Sequence, residues 1–353
     1  MKTFLSPRNY KPIFLGATVL IFGLVIFIFS HTHADSSSAV TIAPAQSSGL
    51  LLYSSGNGYG TIGATKITAS AQFAMSDFGN GDFAGYRREL FLSPDRTTVA
   101  VTLDPIEFEG DTMTYLADTR GTQLTSAQIG RFVSWAPDSS RALLYVSTME
   151  APWDRYIYAL DTLGKYYDMG LPNGTINADI SPLDGSTVYS LTSGGTDDST
   201  IYLRDPQGKD TLLLKGDGNI LAWIRWSPKG DKIAFMKSNL ALDGSEQSVW
   251  VMNPDATGAE KVSDVDWNYP PAFSPDGMKM AFSRAGDIWE YDIAGKSIRN
   301  ITNLNRRDAL HPSYSADGKT IAFSSGGQVW NSDGERATQL TNDSQPKDYP
   351  ILP

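Results

Sequence analysis

Three histidines, no cysteine and 39 carboxylates are the side chains from which any chemistry in this 353-residue chain has to be drawn. His31 and His33 flank an apolar stretch, so His311 is the sole imidazole for the remainder. A metal centre made of several histidines is disfavoured on that count, and with it the lyases and hydrolases that gather such ligands. Asp264, Asp266 and Asn268 have the spacing that opens a calcium loop, but no Gly stands sixth and no Glu twelfth. These acids read better as caps of a loop. Gly58-Tyr59-Gly60-Thr61-Ile62-Gly63 spells a dinucleotide fingerprint, yet Lys66-Ile67-Thr68-Ala69-Ser70 after it is β-branched and polar, which predicts a hairpin turn rather than a helix that meets a pyrophosphate. Gly-x-Ser-x-Gly occurs nowhere, so a fused α/β-hydrolase peptidase is not expected. No catalytic residue, metal or cofactor is assigned. The binding candidates are Trp153 and Arg155 in an insertion, Trp267 and Tyr269 in a loop, and His311 before Pro312, because aromatics beside charges make anchors.

The elements that must carry these residues repeat. Ser93-Pro94-Asp95, Ala136-Pro137-Asp138, Ser181-Pro182 with Asp184-Gly185, Ser227-Pro228-Lys229-Gly230, Ser274-Pro275-Asp276-Gly277 and Ser315-Ala316-Asp317-Gly318 recur at steps of 41 to 47 residues. An apolar segment precedes each, holding Phe91, Trp135, Ile180, Trp226, Phe273 or Tyr314, and an alternating one such as Lys232-Ile233-Ala234-Phe235 follows. Pro presets φ, Asp bonds the backbone two residues on and Gly accepts positive φ, so each motif reverses the chain between antiparallel strands. A third strand carries an aromatic three residues before Asp or Asn, as in Tyr158/Asp161 and Trp330/Asp333; a Gly-closed turn and a fourth strand complete the unit. Trp250, Trp289 and Trp330 recur at one position of it and are expected to pack between neighbouring units. The fold class predicted is all-β, a β-propeller.

FSPDGMKMAFSR with DIWEYDIAG, and YSADGKTIAFSS with VWNSDG, resemble the WD40-like PD40 repeat of the TolB-type propellers, over roughly residues 90 to 345 and more loosely over 50 to 89. The resemblance implies the fold and hardly any function. The α/β domain that precedes the propeller in TolB has no counterpart, so TolB's partners are not carried over. Residues 50–353 divide into seven spans of about 43 residues, which fits seven blades better than six, although six stays open. The unit at 50–89 lacks a first strand, and Asp348–Pro353 resembles one, so the C-terminal strand is expected to complete the N-terminal blade.

Residues 1–12 hold Lys2, Arg8 and Lys11, and 13–30 form a transmembrane signal-anchor helix on the sequence pattern, with the N-terminus inside. Cleavage near Ala34, giving a secreted or periplasmic protein, is the alternative. Residues 31–49, rich in Ser and Pro, read as a flexible tether, and 50–353 as the propeller. A formal charge of −10 argues against nucleic acid as a partner. Two functions remain: a monomeric, membrane-anchored extracytoplasmic module binding an envelope protein, peptide or glycan, or a glycan- or peptide-active hydrolase or lyase using channel carboxylates.

Overall fold

The computed structural model describes residues 51–55, 63–68 and 71–75, and then 86–352 except 106–110, 120–121, 148–153, 193–197, 240–245, 267–269, 305–307, 343 and 345. The described residues form four-stranded antiparallel sheets. Six are blades of consecutive strands, whose innermost members are Tyr86–Leu92, Arg131–Trp135, Thr175–Ile180, Asn219–Trp226, Ala272–Phe273 and Leu310–Tyr314. These blades are numbered one to six. A composite sheet joins the two ends of the chain: Lys347–Ile351 is its inner strand, followed by Leu51–Ser55, Gly63–Thr68 and Ala71–Met75. The expected pairing of a C-terminal strand with Leu51–Ser55 is thus present, with Leu52 opposite Ile351 and Ser55 opposite Lys347.

The core lies between sheets rather than inside one. Leu116 and Ala100 of blade one meet Phe132 and Leu144 of blade two. Val188 and Ile201 of blade three meet Leu221 and Phe235 of blade four, and the same arrangement recurs around the ring. The composite sheet is packed on both flanks, Leu51, Tyr53 and Leu352 against Val329 and Leu340 of blade six, and Leu52 and Ile351 against Leu90 and Val101 of blade one. Each sheet therefore depends on two neighbours for the burial of its faces, as repeat architectures do.

The turns follow from their residues. Ser93, Ser274 and Ser315 donate to Asp95, Asp276 and Asp317 at 2.6 to 2.7 Å, and the same hydroxyls accept the N–H five residues on. In blade four, where Lys229 replaces the acid, Ser227 donates instead to Asp231 at 2.7 Å. Gly230 and Gly277 have φ of 70° and 64°, and a Cβ on either would press on Pro182 or Pro228 of the preceding blade at 3.3 Å, so the turns stack as a ring around the axis. In the outer turns Asp161 and Asp205 accept backbone N–H groups two and four residues on.

Three sequence expectations are refined. Of Gly58–Gly63, residues 58–62 lie outside the described residues, and Gly63 opens the strand Gly63–Thr68, not a helix, which pairs with Leu51–Ser55. Trp250 and Trp330 stack on Phe235 and Phe323 of their own blades, opposite them in register, so the pair forms within a blade as well as at its flank. Asp266 caps the Ala285 and Gly286 N–H groups at 2.8 Å, the loop-cap role expected of it. Among the described residues no helix is long and apolar enough to cross a membrane, and the span expected at 13–30 lies outside them.

Candidate functional site

The inner strands converge on an axial depression of about 510 Å³ that opens on the face of the Ser-Pro turns. Pro94, Pro137, Pro182, Pro228 and Pro275 belong to its rim, and Pro312, Tyr349 and Pro350 lie in its wall. Most of the lining is apolar. One side is not: of the residues two before the turn Ser, or Ala136 in blade two, Phe91, Ser134, Asp179, Arg225, Ala272 and Ser313, the third and fourth carry opposite charges.

Asp179 is buried, and its carboxylate accepts the Trp226 N–H at 2.7 Å. Burial pushes its pKa up to about 6, against the opposing pull of the Arg225 guanidinium. Arg225 gives Nη1 to the Ile224 carbonyl at 2.8 Å and, more loosely, to Asn177 Oδ1 at 3.4 Å, and gives Nη2 to the Val133 carbonyl. Its side chain therefore runs from blade four past blade three to blade two. Asn177 Oδ1 also accepts the Ile224 N–H at 3.0 Å. These polar groups are already engaged within the chain.

His311 lies in the inner strand of blade six, within the depression, where it stacks on Tyr349 at 3.7 Å between ring centroids and meets Asp348 Oδ1 through Nδ1 at 2.5 Å. Ser324 donates to the same oxygen at 2.6 Å. Since Ser and His both address the carboxylate, this is not a nucleophile backed by a base, which requires the Ser to face the imidazole. Burial and then the Glu89 carboxylate raise the Tyr349 pKa well above the usual phenol range. Tyr349 donates to Glu89 at 2.9 Å, and Glu89 is bound by Arg131 at 2.6 Å. His311, Tyr349 and Trp223 have φ of 54°, 47° and 52°, and the inner strands that contain them break register at the same places. Bulges of this kind re-aim side chains, and here three aromatic rings occupy them.

Arg155, the other binding candidate among the described residues, is not assembled with His311. Arg155 opens the third strand of blade two, where its N–H binds Asn173 Oδ1 at 2.9 Å and its guanidinium binds Thr192 at 3.1 Å, tying blade two to blade three. Trp153, Trp267 and Tyr269 lie outside the described residues. Asp179 and Arg225 escape sequence reasoning because each occupies an ordinary strand position. Aligning the repeats by the residue two before the turn motif would show the charges among Ser, Ala and Phe. Among the described residues no three His, Asp or Glu side chains are placed to hold a metal ion.

No family model matches the sequence, and no curated protein does. Solved structures share the fold. An oligogalacturonate lyase in complex with manganese superposes with a TM-score of 0.56 at 13% identity, over 83% of this chain and 86% of that one. The oligogalacturonate lyase from Vibrio parahaemolyticus gives 0.52 at 13%, over 90% and 96%. TolB from Acinetobacter baumannii gives 0.49 at 17%, over 82% and 78%. At such identities the likeness to the two lyases is one of fold.

Proposed function

We propose that the chain is a recognition module, a propeller held outside the cytoplasmic membrane by residues 13–30, which binds an envelope protein, peptide or glycan through its axial face. In this reading the composite sheet is the seventh blade, and the ring is a rigid platform for that face. The observation that carries the proposal is that the charges of the depression are committed internally: Asp179 holds the Trp226 N–H, and Arg225 holds two carbonyls. A group that must take or give a proton in turnover needs to be available to substrate, whereas charges fixed by their own blades shape a surface. The glycoside-hydrolase form of the enzyme reading needs paired carboxylates about 5 to 9 Å apart. Among the described lining residues Asp179 is the one acid.

The test is photo-crosslinking of the full-length protein in its native membrane, with the photoreactive group replacing Leu183 or Met278, which are 72% and 49% exposed on the turn face. A discrete adduct with one envelope protein or glycan is expected. Cleavage of oligogalacturonides or of peptides by the purified protein, or no adduct from any position of that face, would overturn the reading.

A further inference from the structure

The face around the depression carries one exposed acid per Ser-Pro turn: Asp95, Asp138, Asp184, Asp231, Asp276 and Asp317. Hydrogen bonds within the turns, from Ser140 to Asp138, Ser186 to Asp184, Ser274 to Asp276 and Ser315 to Asp317, hold those carboxylates below their usual range, so they stay ionised in mildly acidic surroundings. Exposed cations in the turns themselves are Lys229 and Lys319, the latter 3.9 Å from Asp317. Arg96 is drawn inward instead, where it donates to the Tyr314 carbonyl at 3.1 Å and to the Leu352 carbonyl. The rim is thus net acidic and encloses an apolar pit.

A second observation points to what enters the pit. Trp135 and Trp226 both stand immediately before a turn motif, and both line the depression. Trp135 donates its indole N–H to the Phe91 carbonyl at 3.1 Å. Trp226 is only 8% exposed, and its indole N–H has no acceptor among the described residues. Both rings belong to the lining together with Phe91, Phe273 and Tyr349, which gives the pit aromatic walls. Proline-containing chains bring carbonyls into aromatic-lined grooves at low entropic cost, because they are extended before they bind.

Resting on the reading of this face as a recognition surface, we propose that the Ser-Pro face docks an extended, proline-containing cationic polypeptide segment, its prolines in the axial depression and its Lys or Arg side chains against the ring of turn aspartates. Complementary charge steers such a chain to the rim, and the apolar contact in the pit supplies the hold. Anionic glycans and acidic peptides are repelled by the same ring.

The test is fluorescence anisotropy of the full-length protein in detergent with two labelled peptides, four repeats of Lys-Pro-Pro and four of Glu-Pro-Pro. The cationic peptide is expected to bind, and to weaken several-fold as salt rises from about 50 to about 300 mM; the acidic one is expected not to bind. The triple variant Asp95→Asn, Asp138→Asn, Asp184→Asn keeps an acceptor in each turn and should lose about tenfold in affinity. Lys229→Asp, which replaces a cation of the rim by an acid at the position held by Asp95, Asp138, Asp276 and Asp317, should bind two- to threefold more tightly, a gain that misfolding cannot imitate. Equal binding of both peptides, no binding of the cationic one, or indifference to the triple and Lys229 variants would overturn the proposal. If crosslinked partners persist in the triple variant and map elsewhere on the molecule, the recognition module stands and this assignment alone falls.

Discussion

The joint between blades three and four and the joint where the chain ends meet are built differently. Blades three and four follow one another in sequence. They are held by Ser190 donating to the Leu221 carbonyl at 2.5 Å and by the Trp226 N–H on Asp179. At the closing seam the partners are far apart in sequence. Tyr349 reaches Glu89, Arg96 reaches Leu352, and Ser54 donates to the Asp348 carbonyl at 3.1 Å. A long loop costs entropy to close, and the seam concentrates aromatic, imidazole and carboxylate contacts in one strand, Lys347–Ile351. The repeat supplies consecutive joints; the seam is tied by contacts between residues far apart in sequence.

The most severe way to break that difference is to end the chain after Pro346, which removes the seam strand with the buried side chains of Ile351 and Leu352. At about 1.5 to 3 kcal/mol for each, plus an exposed sheet edge, the loss approaches the stability of an ordinary domain. Chemical denaturation should show no cooperative transition, and a retained transition would mean that the ring does not rely on closure.

Asp179→Leu attacks the consecutive joint instead, by leaving the Arg225 charge in the depression uncompensated. The expected cost is about 3 to 5 kcal/mol in urea unfolding. The pH dependence has a definite sign. Because burial raises the Asp179 pKa to about 6 in the folded chain, the native state takes up its proton before the unfolded state does. This residue's contribution therefore diminishes as pH rises from about 4 to about 6, by up to about 3 kcal/mol. The difference between wild type and Asp179→Asn should show that slope, opposite in sign to the slope from the hydrogen-bonded turn aspartates.

Tyr349→Phe is a smaller cut at the seam. It strips the hydroxyl from the buried Glu89 and should cost about 1 to 3 kcal/mol. The smallest effect compares two tryptophans in one repeat position. Trp135→Phe loses a hydrogen bond that Trp226→Phe does not, so the first should be less stable by about 1 kcal/mol once the shared loss of ring volume is subtracted. Equal unfolding midpoints would mean that the indole of Trp226 is satisfied after all.

The legible part of this protein is what repeats. Six turn motifs at steps of 41 to 47 residues specify the strands, and a stray strand-like ending at Asp348–Pro353 specifies closure. The site is less legible, because its distinguishing groups are departures from the repeat rather than motifs: Asp179 and Arg225 at a position that is Ser or Ala in three other blades, and an unmatched indole at Trp226. His311 stands out in the sequence as the only propeller imidazole. Its stacking on Tyr349 is not readable there, since it depends on two bulged strands from different sheets meeting at the seam. The turn aspartates read as punctuation, which they are; that they also form one acidic rim follows only from the ring.

The central claim is that the Ser-Pro face recognises a partner and does not turn one over. The most direct measurement places a photoreactive residue at Leu183 in the full-length protein and, separately, at Leu163, which is 90% exposed in an outer turn. Adducts identified by mass spectrometry should arise from Leu183 and fall on a Lys- or Arg-rich segment of a single partner. Adducts from Leu163 alone, or a product released from a glycan or peptide substrate in place of an adduct, would contradict the account.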